Sequence, residues 1–284
     1  MPVIAGVAVL LVLLMVAGTS SAAQNAPDYV QRVSLPDPAA RRLPRIAAAG
    51  EEQAPLVVID PGHGGFDPGA VAESGIEEKD VVLGLAQTLR DRLLEQGGVQ
   101  VALTREEDRF LSLQERSEIA RRLGADLFIS IHADSGGEEM NAAGASLYTL
   151  SPQASSREAE RFAARENDAD IVNGTRLDTG GGTVDTILFE LSQRHAQAEA
   201  AEFARLVVRE SAGELVFRDP PRRSAALVVL TAPDVPSVLF EAGFVTNPDE
   251  AERLGSAEGR EQFARVTAAA VRSFFANRER SPSQ

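Results

Sequence analysis

The chain has 284 residues, is 44% hydrophobic and carries a formal net charge of −14, which suits one sizeable α/β domain with a short appendage. It contains no cysteine, which excludes a disulfide framework, thiolate catalysis and lipid attachment through an N-terminal cysteine. The acidic balance speaks against non-specific nucleic-acid binding, which needs basic patches to neutralise phosphates.

Residues 4–18 form an apolar run that ends in Thr19-Ser20-Ser21-Ala22-Ala23. These are the h-region and small-residue cleavage site of a secretory signal peptide spanning residues 1–23. No Lys or Arg precedes the run, so retention as an anchor is the alternative, yet the run is short against the ~20 residues of a spanning helix. Cleavage leaves no stable membrane span. Residues 24–55 carry Pro27, Pro36, Pro38, Pro44 and Pro55 without helical or strand period, and read as a linker.

Residues 56–59 are an apolar strand, broken sharply by Asp60-Pro61-Gly62. His63 stands at that break, at the carboxyl end of a strand, where open α/β sheets hold ligands. Residues 79–95 place Val82, Leu85, Ala86, Leu89 and Leu93 on one helical face, closed by Gly97-Gly98. A strand at 99–104 follows, then a helix at 113–123 closed by Gly124. Residues 127–134, LFISIHAD, form a second apolar strand ending in His132, and residues 146–150 a further one.

A long excursion over 151–223 precedes an expected strand at 227–230. Within it, Ser155-Ser156-Arg157-Glu158 is a capping-box pattern opening a helix to residue 168. A glycine-rich loop at 173–182 and a long helix at 185–214 follow. His195 lies inside that helix and reads as an ordinary exposed position. Residues 238–241 make the last strand, 258–277 a final helix burying Phe263, Val266, Ala270 and Phe274, and 278–284 a frayed tail. This alternation implies an α/β single domain over 56–277: a twisted, largely parallel central sheet flanked by helices on both faces, plus a helical insert.

Two of the three histidines thus sit at strand ends, with an acidic loop at 75–80 between them in sequence. His, Glu and His with a free fourth position is the ligand set of a catalytic zinc. The ligands are scattered, unlike the compact HExxH pattern on one helix. Glu241 ends an otherwise apolar strand, and a buried carboxylate is costly unless paired or working.

DPGHGG, EKD fifteen residues after His63, SIHAD and VLFEAGFVTNP, in that order, resemble the zinc N-acetylmuramoyl-L-alanine amidases across residues 56–275. The resemblance implies that Zn²⁺ is held by His63, Glu78 and His132, the second ligand lying directly before Lys79, with Glu77 as runner-up. It makes Glu241 the catalytic glutamate, taking a proton from water and passing it to the leaving amine. The implied substrate is peptidoglycan, cut between N-acetylmuramic acid and L-alanine for wall remodelling and daughter-cell separation. A monomer working in the periplasm is implied too, and the linker is too short for a separate wall-targeting module.

The excursion over 151–223 resembles the regulatory insert of the Gram-negative cell-division amidases, where a helix held over the zinc is displaced by an activator, here of LytM type. Glu158, Glu160 and Glu166 are the candidates to reach the metal from this helix. The simpler reading gives Glu158 to the capping box and the other two to a solvated face. Arg105 and Arg116 occupy family-like positions, and the plainer account is ion pairing to loops such as 106–108. Thr231 stands where division-type relatives often have lysine, so the resemblance does not carry any substrate contact of that lysine over to this chain. Two rivals remain: a catalytically silent peptidoglycan-binding module with structural zinc, and a stem-peptide endopeptidase, which uses other ligand motifs. Glu241 argues against the silent module, which has no use for it.

Overall fold

The apolar runs around His63, His132 and Glu241 become three adjacent parallel strands: β2 (Leu56–Pro61), β4 (Leu127–His132) and β9 (Ser237–Glu241). Every residue of the three is buried, as happens when helices cover both faces of a parallel sheet, and this is why they read as unbroken apolar runs. The structure, a computed structural model, describes residues 43–50, 53–136, 141–172, 175–176 and 186–280. The expected signal peptide, the linker before residue 43, most of the glycine-rich loop and the last four residues lie outside the described residues.

Strand β3 (Gln100–Leu103) pairs parallel with β2, and the two-residue β1 (Ala47–Ala48) pairs antiparallel at its outer edge. On the other side β5 (Ala145–Leu150) runs antiparallel to β9, and a last strand at Phe217–Ala225 runs parallel to β5. The seven-stranded sheet is therefore mixed, parallel through its centre and antiparallel at two joins.

Alternate residues of each central strand enter opposite cores, as the pleat requires. Val57 and Ile59 pack with α1 (Glu78–Gln96), a helix at Thr186–Glu210 and one at Ala257–Arg280. Leu56 and Val58 pack with α2 (Leu113–Leu123) and α3 (Arg157–Asn167) on the other face. In chain order after α3 come the small hairpin β6 (Ile171–Val172) and β7 (Thr175–Arg176), α4 (Thr186–Glu210), β8 (Phe217–Ala225), α5 (Pro248–Gly255) and α6 (Ala257–Arg280). Among the described residues no helix is long and apolar enough to cross a membrane.

Several local expectations change. The strand expected at 227–230 is a 3₁₀ turn at Val228–Leu230; the sheet edge is β8, whose sequence FRDPPRRSA has no apolar alternation because one side of an edge strand faces water. Consequently the stretch read as an insert contains both an edge strand of the sheet and α4, whose Phe203, Ala204, Leu206 and Val207 belong to the main core. The α3 cap is Ser156, which accepts from the Ala159 N–H, so no capping box forms and Glu158 is free for other partners. The linker contributes β1, and α6 runs to Arg280 through the start of the expected tail. α5, capped by the Asn247 side chain, was not anticipated as a separate element.

Candidate metal centre

Parallel pairing of β2, β4 and β9 puts His63, His132 and Glu241 at one end of the sheet, with His132 and Glu241 directly in register. Glu78, the first residue of α1, comes in from the loop that leaves β2. Its Oε1 lies 3.2 Å from His63 Nε2 and 3.3 Å from His132 Nδ1. From the opposite face α3 brings Glu166 Oε2 to 3.1 Å from His132 Nδ1 and 3.8 Å from His63 Nε2. All four side chains are buried.

Local sequence explains the closeness. A Cβ on Gly62 would collide with the His132 imidazole, and one on Gly69 would sit 2.7 Å from both Glu78 Oε2 and His63 Cδ2. His63 itself adopts φ 57, a strained conformation for a residue with a side chain. Buried arginines hold that strain. Arg116 donates to the His63 and Pro61 carbonyls at 2.6 and 2.7 Å, and Arg105 to the Pro61 and Gly62 carbonyls at 3.0 and 2.8 Å. The expected pairing of these arginines with the side chains of 106–108 is not what forms; Lys79 takes Asp108 instead, at 3.0 Å. Arg116 also pairs with the fully buried Asp60 at 2.9 Å. Burial would raise the Asp60 carboxyl, but Arg116 and the Thr104 and Ser130 hydroxyls hold it below the ordinary range.

His63 donates from Nδ1 to Asp67 at 2.8 Å, which leaves Nε2 bare toward the centre. His63 Nε2, His132 Nδ1 and Glu166 Oε2 are sealed from solvent and make no hydrogen bond. Orphaned buried polar atoms are rare, and three converging on one point call for an ion. Burial alone would lower both imidazoles, yet the Glu78 charge at His63 and the Glu166 charge at His132 hold each near pKa 10. Glu78 is correspondingly pulled well below the usual carboxylate range, against its burial, by the His63 charge. An excess of carboxylates around two imidazoles is an environment that a divalent cation neutralises. The buried His63, His132 and Glu166 group can hold a metal ion, and Glu78 Oε1 lies within reach of both histidines.

Beside these donors, Glu241 Oε2 accepts the Asp134 N–H at 2.9 Å, while Oε1 has no partner. Burial, then the charges of Asp134, Glu78 and Glu166, raise its carboxyl well above the ordinary value. Asp134 pairs with Arg165 of α3 at 2.5 Å. Burial and Glu166 push the Asp134 carboxyl up to about 7 despite that partner. Reading the sequence did not single out Asp134, although it stands two residues after His132 in SIHAD.

Of the three α3 candidates only Glu166 reaches the histidines. Glu158 pairs with Arg218 and Arg223, and Glu160 is exposed. The signal was present in the helical period: Ala159, Phe162, Ala163 and Glu166 make the buried stripe of α3, and the other two acids lie off it. Glu77 occupies the N-cap position of α1 without a side-chain capping bond and pairs with Lys79 at 3.2 Å, so it is not at the centre. His195 is 75% exposed, beside Glu199. A cavity of about 530 Å³ opens next to Glu241, bounded by Tyr148, Phe244, Arg218 and, from α3, Glu158 and Arg165.

An α/β domain with a buried His/Glu group at the carboxyl ends of its parallel strands, able to hold a metal ion, and a half-bare glutamate beside it, is the build of a hydrolase. The sequence matches the N-acetylmuramoyl-L-alanine amidase family over residues 57–273. It is 41% identical to N-acetylmuramoyl-L-alanine amidase AmiA of Escherichia coli (strain K12) over 221 residues, 78% of this chain and 76% of that one. It is 33% identical to AmiC of Escherichia coli O6:H1 over 84% of this chain and 57% of that protein. The solved amidase AmiC2 of Nostoc punctiforme superposes with a TM-score of 0.54 at 29% identity, covering 78% of this chain and 97% of that one. The chain belongs to the N-acetylmuramoyl-L-alanine amidase family.

Proposed function

We propose that this amidase hydrolyses the bond between N-acetylmuramic acid and L-alanine in peptidoglycan, with zinc held by His63, Glu78 and His132 and with Glu241 as general acid–base. The observation that carries the reading is the sealed meeting of His63 Nε2, His132 Nδ1 and Glu78 Oε1 beside the bare Oε1 of Glu241. Two imidazoles and one carboxylate are the donors of a catalytic zinc. When bound, such an ion polarises a carbonyl and acidifies water.

The protein's own groups do the rest. Asp67 fixes the His63 ring in the tautomer that presents Nε2. The backbone N–H of Asp134 fixes one Glu241 oxygen, leaving the other to take a proton from the attacking water and return it to the leaving amine.

Glu166 brings a fourth protein oxygen to the place that water and substrate need, so α3 in this position is a closed state. A partner that binds the open form better releases it, and a LytM-type activator is the partner this reading assigns. Export to the periplasm by residues 1–23 and a role in daughter-cell separation complete it. The rival reading is a silent wall-binding module, whose structural zinc would also be closed by four protein ligands. Glu241, buried with one bare oxygen, has no purpose there. Mass spectrometry of muropeptides after digestion of purified sacculi separates the two. Released peptides beginning at L-alanine support the amidase; intact stems with and without an activator overturn it.

A further inference from the structure

The candidate metal centre accounts for the last turn of α3 and leaves its first turn unexplained. There Glu158 Oε1 meets Arg218 Nη2 at 3.0 Å and Oε2 meets Arg223 Nη1 at 2.8 Å. Each oxygen of one carboxylate takes its own guanidinium. The Arg223 side chain is 4% exposed whereas Glu158 is 51% exposed, so the receptor is built into the fold and its occupant is carried on the surface. Both arginines stand on β8, and Arg218 lies over the Phe244 ring at 5.1 Å, three residues beyond Glu241. Arg218, Glu158 and Glu241 border the same cavity. Arg223 is held in turn by its Nε, which donates to the Pro220 carbonyl at 3.3 Å, and two guanidiniums so placed and meeting one carboxylate form a carboxylate receptor.

Resting on the amidase reading, we propose that Arg218 and Arg223 form a subsite for a carboxylate of the peptide attached to L-alanine, and that Glu158 fills it while α3 lies in the cleft. The leaving amine emerges beside Glu241, so the peptide that follows runs into this cavity. A protein of net charge −14 repels an anionic peptide unless the cleft supplies local positive charge. Eight residues separate Glu158 from Glu166, about 12 Å of helix rise, which an extended peptide covers in about three to four residues. α3 thereby imitates the substrate at two points, one carboxylate at the metal donors and one at the arginines. The subsite accordingly prefers a carboxylate near the third residue of the stem.

The test uses full-length protein carrying Glu158→Ala, Glu166→Ala and Glu241→Gln, which removes both internal carboxylates and slows cleavage on the order of 10²–10⁴-fold. The ligand is N-acetylmuramoyl-L-alanyl-γ-D-glutamyl-L-lysine with its terminal carboxylate either free or amidated, with binding read by calorimetry. The free acid is expected to bind on the order of tenfold tighter, the strength of a charge-assisted contact. Arg218→Gln should abolish that preference and Arg218→Lys should restore part of it, with melting curves showing that each variant folds. Equal binding of acid and amide with both arginines intact overturns the subsite, and this comparison needs no arginine variant to fold. A preference that survives Arg218→Gln also overturns it. Restoring Glu241 separates the two readings. Cleavage of both ligands at equal KM leaves the amidase reading and removes the subsite. A preference for the acid with no cleavage leaves the subsite and removes the amidase reading.

Discussion

Two glutamates reach the same pair of imidazoles and are held in opposite ways. Glu78 is anchored by backbone: Oε1 accepts the Ala133 N–H at 2.8 Å and Oε2 the Ala70 N–H at 2.9 Å. It belongs to the rigid half of the site, where strand ends, glycines and buried arginines fix every group. Glu166 Oε2 has no hydrogen bond and is carried by α3, an eleven-residue helix. That helix rests on Phe162, Ala159 and Ala163, a Tyr148–Phe162 stack at 4.3 Å, and ion pairs of Glu158 and Arg165. The lesson is that proximity to the metal donors does not define a ligand. On the proposed reading, what holds the side chain separates Glu78, the permanent donor, from Glu166, the one that leaves.

The largest effect should come from breaking the rigid half. His63→Ala or His132→Ala should take zinc content from about one per chain toward none and abolish activity, because each removes a main donor of a small ligand set. Full zinc occupancy by elemental analysis in either variant would remove it from the site. Next, Glu241→Gln should keep zinc and lose on the order of 10²–10⁴-fold in rate, the usual worth of a general acid–base. Turnover near that of the unaltered protein would pass the role to another carboxylate.

The contrast also predicts stability. Arg116→Ala strands the buried Asp60 charge and should cost about 3–5 kcal/mol, whereas Glu158→Ala removes half-exposed ion pairs and should cost about 1 kcal/mol or less. Urea unfolding of the two variants would show it; equal losses would contradict the division into a rigid half and a lightly held helix. A smaller effect concerns pH. Both imidazoles are held near pKa 10 in the metal-free fold, above the ordinary 6.5. Their stabilisation is present in full below pH 6.5 and is lost as pH rises through about 10. Metal must displace those protons, so zinc affinity should increase with pH over the same interval. Titration with a competing chelator at two pH values checks the sign.

The rigid half was legible in the sequence because sheet geometry leaves little choice: apolar runs broken at Pro61-Gly62 and after His132 must end at the same edge of a parallel sheet. The choice of Glu78 rested on the resemblance, since the acidic loop offers Glu77 at the neighbouring position; in the structure Glu78 reaches both imidazoles while Glu77 pairs with Lys79. The lightly held half was less legible. β8 has no period-two signal, because an edge strand of arginine and proline satisfies its partner on one side only. α3 was located by its serine cap, which lies at Ser156 and not Ser155, and the acid that faces inward follows from the helical period, which sets Glu166 on the stripe of Ala159, Phe162 and Ala163. Asp134 was passed over because its partner, Arg165, lies 31 residues away on α3.

The most direct test sets the two glutamates side by side: zinc content and partner-free release of dye from labelled sacculi, for Glu78→Ala and for Glu166→Ala. Glu78→Ala should lose both zinc and activity. Glu166→Ala should hold about one zinc per chain and release dye roughly tenfold faster than the unaltered protein, the change for a closed state favoured by ~1.4 kcal/mol. Loss of zinc and activity in Glu166→Ala, with Glu78→Ala retaining its metal, would contradict the account and exchange the roles of the two residues.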